Sequence, residues 1–103
     1  MGGDDGIVVH MPWIYILRCS DDSLYVGHTD NVPARVASHN DGHGSRYTSQ
    51  RRPVTVVHTE HYVSLTRALA RERELKGWTA NKKEALIAGD SRTLKSLARR
   101  RRR

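Results

Sequence analysis

Trp13-Ile14-Tyr15-Ile16-Leu17-Arg18-Cys19-Ser20-Asp21-Asp22-Ser23-Leu24-Tyr25-Val26-Gly27 is the stretch whose reading decides the fold. Trp13 to Arg18 is rich in aromatic and β-branched residues, the signature of a strand. Ser20-Asp21-Asp22-Ser23 has turn composition. Leu24 to His28 reads as a second strand carrying Gly27, and a strand glycine marks a bulge or a close approach to the backbone. Side chains alternate between the faces of a sheet. Trp13, Tyr15 and Leu17 therefore share one face of the first strand, and Tyr25 and Gly27 share one face of the second. On the hairpin alone, the two tyrosines read as residues at the edge of a core.

Downstream, Asp30 or Asn31 can cap a helix over residues 32–40, with Pro33 in its first turn and Asp41-Gly42 after its end. Helical spacing puts Val32, Arg35, Val36 and His39 on one stripe, and the i, i+4 pair Arg35 and His39 can reach one place. Singly, each has an ordinary reading: a snorkelling surface arginine and a hydrogen-bonded histidine at the core's edge. Residues 42–53 form a polar loop in which Arg46, Tyr47, Arg51 and Arg52 interleave an aromatic with cations. That composition suits stacking and phosphate contact with nucleic acid, and equally an ordinary solvated loop. Residues 54–61 read as a third strand. A strand puts His58 and His61 on opposite faces, and no set of Cys, His and carboxylates has zinc-site spacing.

A second helix runs from residues 64–66 to about Lys76, ending at Gly77. On its apolar stripe Glu72 falls within about 20° of Leu65, while Glu74 lies about 180° away, facing water. A carboxylate on a buried face is costly unless paired or bound to a cation. An ion pair with Arg18, Arg35 or Lys76 and a functional role both meet that requirement. Thr79 or Asn81 caps a third helix over residues 82–87, with Leu86 and Ile87 inward and Lys82 and Lys83 outward.

At 103 residues the chain is one domain with a modest core. Residues 1–11 read as a disordered extension, 12–90 as the domain and 91–103 as a basic tail. Met11, directly before the first strand, is an alternative start. No run of about 18 apolar residues suggests a membrane span, and the acidic, glycine-rich N-terminus does not read as a signal peptide. Cys19, the lone cysteine, fits a reducing compartment, so a cytoplasmic location is expected. Of 18 basic and 11 acidic residues, seven basic ones lie in 91–103, leaving 11 against 11 in the rest. The tail alone makes the protein basic.

Ile14-Tyr15 and Tyr25-Val26-Gly27 across a short loop resemble the paired motif of the GIY-YIG nuclease family. The likeness continues through Asn31, Arg35 and His39, Tyr47-Thr48, Arg52-Pro53, Ala68 to Glu72, and Lys76-Gly77-Trp78 with Lys82-Lys83. It covers residues 12–90. The chain most resembles the small stand-alone members, which are similar to the nuclease domain of the bacterial excision-repair incision protein. Trp13 stands in the place of the first glycine. The resemblance implies an α+β fold, a three-stranded antiparallel sheet flanked by three helices. It implies a DNA endonuclease, structure-specific or repair-related, that hydrolyses phosphodiesters with Mg²⁺ or Mn²⁺, RNA being the open alternative. Tyr15 would be the base or water-orienting residue with Tyr25 beside it. Arg35 would stabilise phosphate charge, His39 would assist proton transfer and Glu72 would hold the metal. His28 and Asn81 are auxiliary candidates. Lys82 and Lys83 join Arg46, Tyr47, Arg51 and Arg52 as candidate nucleic-acid contacts. The alternative class is a non-catalytic nucleic-acid-binding module that keeps the fold.

Phosphodiester hydrolysis needs a base for water, positive charge for the developing oxyanion and stabilisation of the leaving oxygen. A single carboxylate suits one hard divalent ion whose other positions are filled by phosphate and water. The arginine tail would supply non-specific affinity. Truncation after Asp90 is expected to weaken DNA binding and flatten its salt dependence, because fewer counterions are then released. A salt titration of binding checks this, and an unchanged slope assigns binding to the folded domain.

Overall fold

The computed structural model describes residues 11–89. The expectations placed on residues 1–10 and on the 91–103 tail lie outside the described residues. The hairpin forms as read. β1 (Trp13–Arg18) and β2 (Leu24–Thr29) pair antiparallel, with Tyr15 opposite Gly27 and Leu17 opposite Tyr25. β3 (Thr55–His61) pairs antiparallel with the other side of β1, so the order is β2-β1-β3. β3 starts one residue later than expected because the Asn40 side chain takes Val54. Its amide accepts from Val54 N at 2.7 Å and donates to Val54 O at 3.0 Å.

Three helices match the expected ones: α1 (Val32–Asn40), α3 (Leu65–Lys76) and α4 (Ala80–Ala88). They give the α+β architecture of a small antiparallel sheet flanked by helices. A single turn, α2 (Arg46–Ser49), falls within the stretch expected to be loop. Its cap explains it: the Ser45 hydroxyl accepts from Thr48 N at 3.1 Å, which satisfies one of the free donors of a helix start. Asn31 caps α1, Ser64 caps α3 and Thr79 caps α4 by the same bond.

The sheet divides the interior in two. Ile14, Ile16 and Val26 face α3 and α4, packing with Ala68, Leu75 and the half-buried Leu86 and Ile87. Tyr15, Leu17, Cys19 and Val54 lie in a second cluster with Tyr25 and Val36 of α1. Full burial of each Ile or Leu contributes about 1.5–3 kcal/mol. Alternation alone builds this partition, since consecutive β1 residues serve opposite cores. It also separates His58 from His61. His61 stacks on Trp13 with ring centres 4.1 Å apart, whereas His58 bonds Glu60 on the α3 side.

Two expectations are corrected here. The buried face of α3 is rotated from the Leu65–Leu69 stripe: Ala68 and Leu75 are fully buried, while Leu65 and Leu69 are exposed. Arg71 causes the rotation. It lies on the buried side because Glu60 of β3 accepts from it twice, at 2.9 and 3.0 Å. Glu72 thus stands at the margin of the buried face, not at its centre. The other correction concerns Lys82, which is buried rather than outward, its ammonium 4.2 Å from the Trp78 ring centre. A cation over an indole face is attracted by the ring's quadrupole, and its methylene stem is covered.

Burial would raise the Glu60 carboxyl. Bonds from Arg71, His58 and Tyr62 overcome it and pull the group down to about 2. A depressed folded value means stability present above the ordinary carboxylate value of 4.5 and lost as pH falls towards about 2. Glu60→Gln is expected to lose about 2–3 kcal/mol at pH 7, since it strips the charge that Arg71 and its neighbours bind. Urea unfolding of both proteins from pH 7 to pH 3 checks this: the gap should narrow below pH 4.5, and a constant gap would refute it.

Candidate active site

The Tyr15 hydroxyl is the meeting point of the α1 side. Its ring lies over Gly27, where a Cβ would fall 2.5 Å from the hydroxyl oxygen. The strand glycine is therefore the space that the tyrosine fills. His39 Nε2 lies 2.8 Å from the hydroxyl and Arg35 Nε donates to it at 3.4 Å. Arg35 also donates to the Gly44 carbonyl at 3.0 Å. An i, i+4 pair on α1 thus converges on one oxygen. Tyr25 completes the group with its ring edge-on to His39 at 5.2 Å and tilted to Tyr15 at 6.5 Å.

His39 is fully buried, so both ring nitrogens need partners. Nδ1 lies 2.7 Å from the Thr48 hydroxyl, which bonds the Ser45 hydroxyl at 2.9 Å. A Cβ on Gly44 would collide with the His39 ring. The tautomer follows from the donors. The Thr48 hydroxyl donates to the Ser45 carbonyl at 3.4 Å, so it accepts from His39 Nδ1–H, and Nε2 is left to accept the Tyr15 proton. Burial, then the Arg35 charge, lowers the His39 value, keeping the ring neutral. Burial pushes the Tyr15 phenol up against the pull of Arg35, so tyrosine holds its proton at neutral pH.

Glu72 approaches from the other face of the sheet. Its Oε1 lies 2.6 Å from His28 Nδ1 and its Oε2 2.8 Å from Lys76 Nζ. Its side chain is 13% exposed, against 56% for Glu74. Burial raises the Glu72 carboxyl, and the bonds from Lys76 and His28 outweigh it, so the net displacement is downward. Its charge also pushes the Tyr15 phenol up, so the two groups sense each other across the β2 edge. Tyr15, Tyr25, Arg35 and His39 form one cluster, and Glu72 hydrogen-bonds none of them. Of the partners considered for Glu72, Lys76 takes it, while Arg18 pairs with Glu84. A groove of about 330 Å³ lies between the two sides, lined by His28, Thr29, Asp30, Arg35 and Leu65.

The remaining candidates are dispersed. Arg51 is held by Asp21 and the Tyr47 carbonyl, its guanidinium 3.8 Å from the Tyr47 ring centre. Arg52 donates to the Ser49 and Asn40 carbonyls. Both brace the loop. Arg46, Tyr47 and Asn81 are exposed, and Lys83 is half-buried. Thr48, Ser45 and Gly44 were absent from the sequence-derived site. Two signals were available: Thr48 falls in the Tyr47-Thr48 pair of the family likeness, and Ser45 is a cap residue three before it.

Residues 11–85 match the GIY-YIG catalytic domain family. The chain belongs to that family, which is one of endonucleases. Among its relatives, the UPF0213 protein NP_0776A of Natronomonas pharaonis is 46% identical over 79 residues, covering 77% of this chain and 93% of that one. A UPF0213 protein of Staphylococcus aureus is 49% identical over 75 residues, 73% and 92% of the two chains. The solution structure of the UPF0213 protein BH0048 from Bacillus halodurans superposes with a TM-score of 0.52 at 36% identity, covering 78% and 85%. That of EF2693 from E. faecalis gives 0.55 at 34% identity, covering 77% and 84%. Among the described residues no helix is long and apolar enough to cross a membrane.

Gly27→Ala is expected to displace the Tyr15 ring and cost about 1–3 kcal/mol, as overpacking does. Thermal unfolding reads the cost and the Tyr15 side-chain NMR resonances read the displacement. An unshifted tyrosine in a stable variant would contradict the fit.

Proposed function

We propose that this protein is a divalent-metal-dependent endonuclease that hydrolyses phosphodiester bonds in DNA, with branched or damaged duplexes as the associated substrates. The observation that carries the reading is the Tyr15 hydroxyl held between a fixed cation and a neutral, buried imidazole. As Tyr15 takes a proton from the attacking water, it passes its own to His39 Nε2. Thr48 holds Nδ1–H and so keeps the accepting nitrogen turned to the tyrosine. Arg35 favours the transient phenolate and the charge gathering on phosphate. Water adds to phosphorus as the P–O bond to one sugar breaks; the leaving oxygen takes a proton from solvent, the proton held on His39 returns to solvent through Tyr15, and the products are a phosphate monoester and a hydroxyl.

Among the described residues no three His, Cys, Asp or Glu side chains form a metal cage. A hard ion that keeps its waters and takes substrate phosphate fits a single carboxylate, and Glu72 would hold it. Bound there, Mg²⁺ or Mn²⁺ would supply Lewis-acid stabilisation of the departing oxygen. His28 and Lys76 must first yield the Glu72 oxygens. That double pairing favours the second reading, a nucleic-acid-binding module without catalysis, in which Glu72 is an ion-pair partner.

The test is cleavage of labelled branched, single-stranded and duplex DNA with Mg²⁺ or Mn²⁺. Tyr15→Phe and Glu72→Gln are each expected to fold, to bind DNA and to cut about 100-fold more slowly or worse. Glu74→Gln should cut normally. An active Glu72→Gln protein overturns the metal assignment. A Glu72→Gln protein with a lowered melting temperature, and no cleavage by the parent, favours the binding module.

A further inference from the structure

The cations of the described residues divide into two sets. Arg18, Arg35, Arg51, Arg52, Arg71 and Lys76 are engaged by carboxylates or carbonyls, and Lys82 by an indole face. The side chains of Arg46, Arg67, Arg73 and Lys83 make no hydrogen bond or ion pair among the described residues. Two of these four line grooves that meet beside Glu72. One groove, about 250 Å³, runs along the outer side of β2 past Tyr25 and Tyr47 to Lys76 and Lys83. The other, about 340 Å³, holds Leu69, Glu72, Arg73 and Lys76. Lys76 lines both, so the two grooves adjoin at that side chain. β2 is an edge strand, so nothing in the sheet lies between this track and solvent.

We propose that one strand of the nucleic acid lies along the β2 edge through these two grooves, with Lys83, Lys76 and Arg73 on successive backbone phosphates. The inference rests on the nuclease reading above and gives it a substrate path. The charge pattern selects a polyanion: the track holds three cations, and its one carboxylate is the residue proposed to face the scissile phosphate. Its apolar portions suit sugar and base, since Tyr25 and Tyr47 form a stacked pair with centres 6.1 Å apart, and Leu69 is exposed at the other end. A phosphate arriving at Lys76 competes with Glu72 for the ammonium and so frees a Glu72 oxygen. Substrate binding and readiness of the carboxylate are thereby coupled at one residue. Arg51, which sequence composition offers as a contact, plays a different part: pinned to Asp21, it fixes the Tyr47 ring at the groove's wall.

The experiment is fluorescence anisotropy of labelled single-stranded and duplex oligonucleotides on the full chain without divalent ion, repeated across salt concentrations. Lys83→Glu and Arg73→Glu are each expected to weaken binding about tenfold and to reduce the salt slope by about one. Lys83→Gln should weaken it less, in the same direction. Arg67→Glu, an equal charge change on α3 outside both grooves, should stay within about twofold. In cleavage assays Lys83→Glu should raise KM and leave kcat unchanged, because the contact is uniform through the reaction. If wild type binds while Lys83→Glu and Arg73→Glu behave as Arg67→Glu does, the track is overturned and the nuclease reading stands. If polyglutamate competes as well as the oligonucleotide, the track is a site for acidic protein instead. If wild type binds none of the oligonucleotides, both readings fall.

Discussion

A hydrogen bond between two buried groups, the Tyr15 hydroxyl and His39 Nε2, constrains everything around it. Neither group could be buried unpartnered without losing a few kcal/mol. Satisfying the tyrosine requires α1 to lie against β1 at one height. Satisfying the far side of the imidazole requires a hydroxyl, and Thr48 supplies it from a turn that exists only because Ser45 caps it. Room for both rings requires that Gly27 and Gly44 carry no side chain. Six positions scattered from residue 15 to residue 48 are thus fixed by one bond and its two satisfied ends. A network this complete resists reorganisation, which is what proton transfer between fixed atoms needs.

The sheet itself sets the second constraint. Because β1 feeds alternate residues to opposite cores, the proton-handling group and the carboxylate cannot both stand on its middle. They can meet only at an edge, and β2 is the edge that Gly27 and His28 occupy. Gly27 faces the tyrosine and His28 faces Glu72, so neighbouring residues of one strand address the two halves. This arrangement leaves between them the groove lined by His28, Thr29, Asp30, Arg35 and Leu65.

Much of this was legible. The alternation of Trp13, Tyr15 and Leu17 against Tyr25 and Gly27 gave the shared face, and Asn31 with Pro33 gave the start of α1, because local chemistry alone decides turns, caps and strand faces. The spacing of Arg35 and His39 gave their common direction. What failed depended on partners distant in sequence. The Leu65–Leu69 stripe looked like the buried face of α3 until Glu60, eleven residues before Arg71, drew that arginine inward. Lys82 looked solvated until Trp78 offered it a ring face. α2 was hidden because a four-residue turn has no periodicity to read. The family resemblance named Glu72 where spacing could say only that a carboxylate there needs a counter-charge.

That counter-charge carries the last step of the argument. Lys76 is on the same helix one turn after Glu72, an i, i+4 pair in which the lysine is about half-exposed and the carboxylate is not. The lysine holds the carboxylate ionised against its burial. The His28 contact is shorter, but it too involves a half-exposed side chain. By contrast, the Arg71–Glu60 pair on the adjacent face of α3 is bidentate and largely buried, and losing either partner strands a charge. Consecutive residues of one helix therefore carry two ionic contacts with different partners: Glu60 of β3 holds Arg71, and a lysine of the same helix and a histidine of β2 hold Glu72. Arg71 fixes the helix to β3, and Glu72 stays available at the edge.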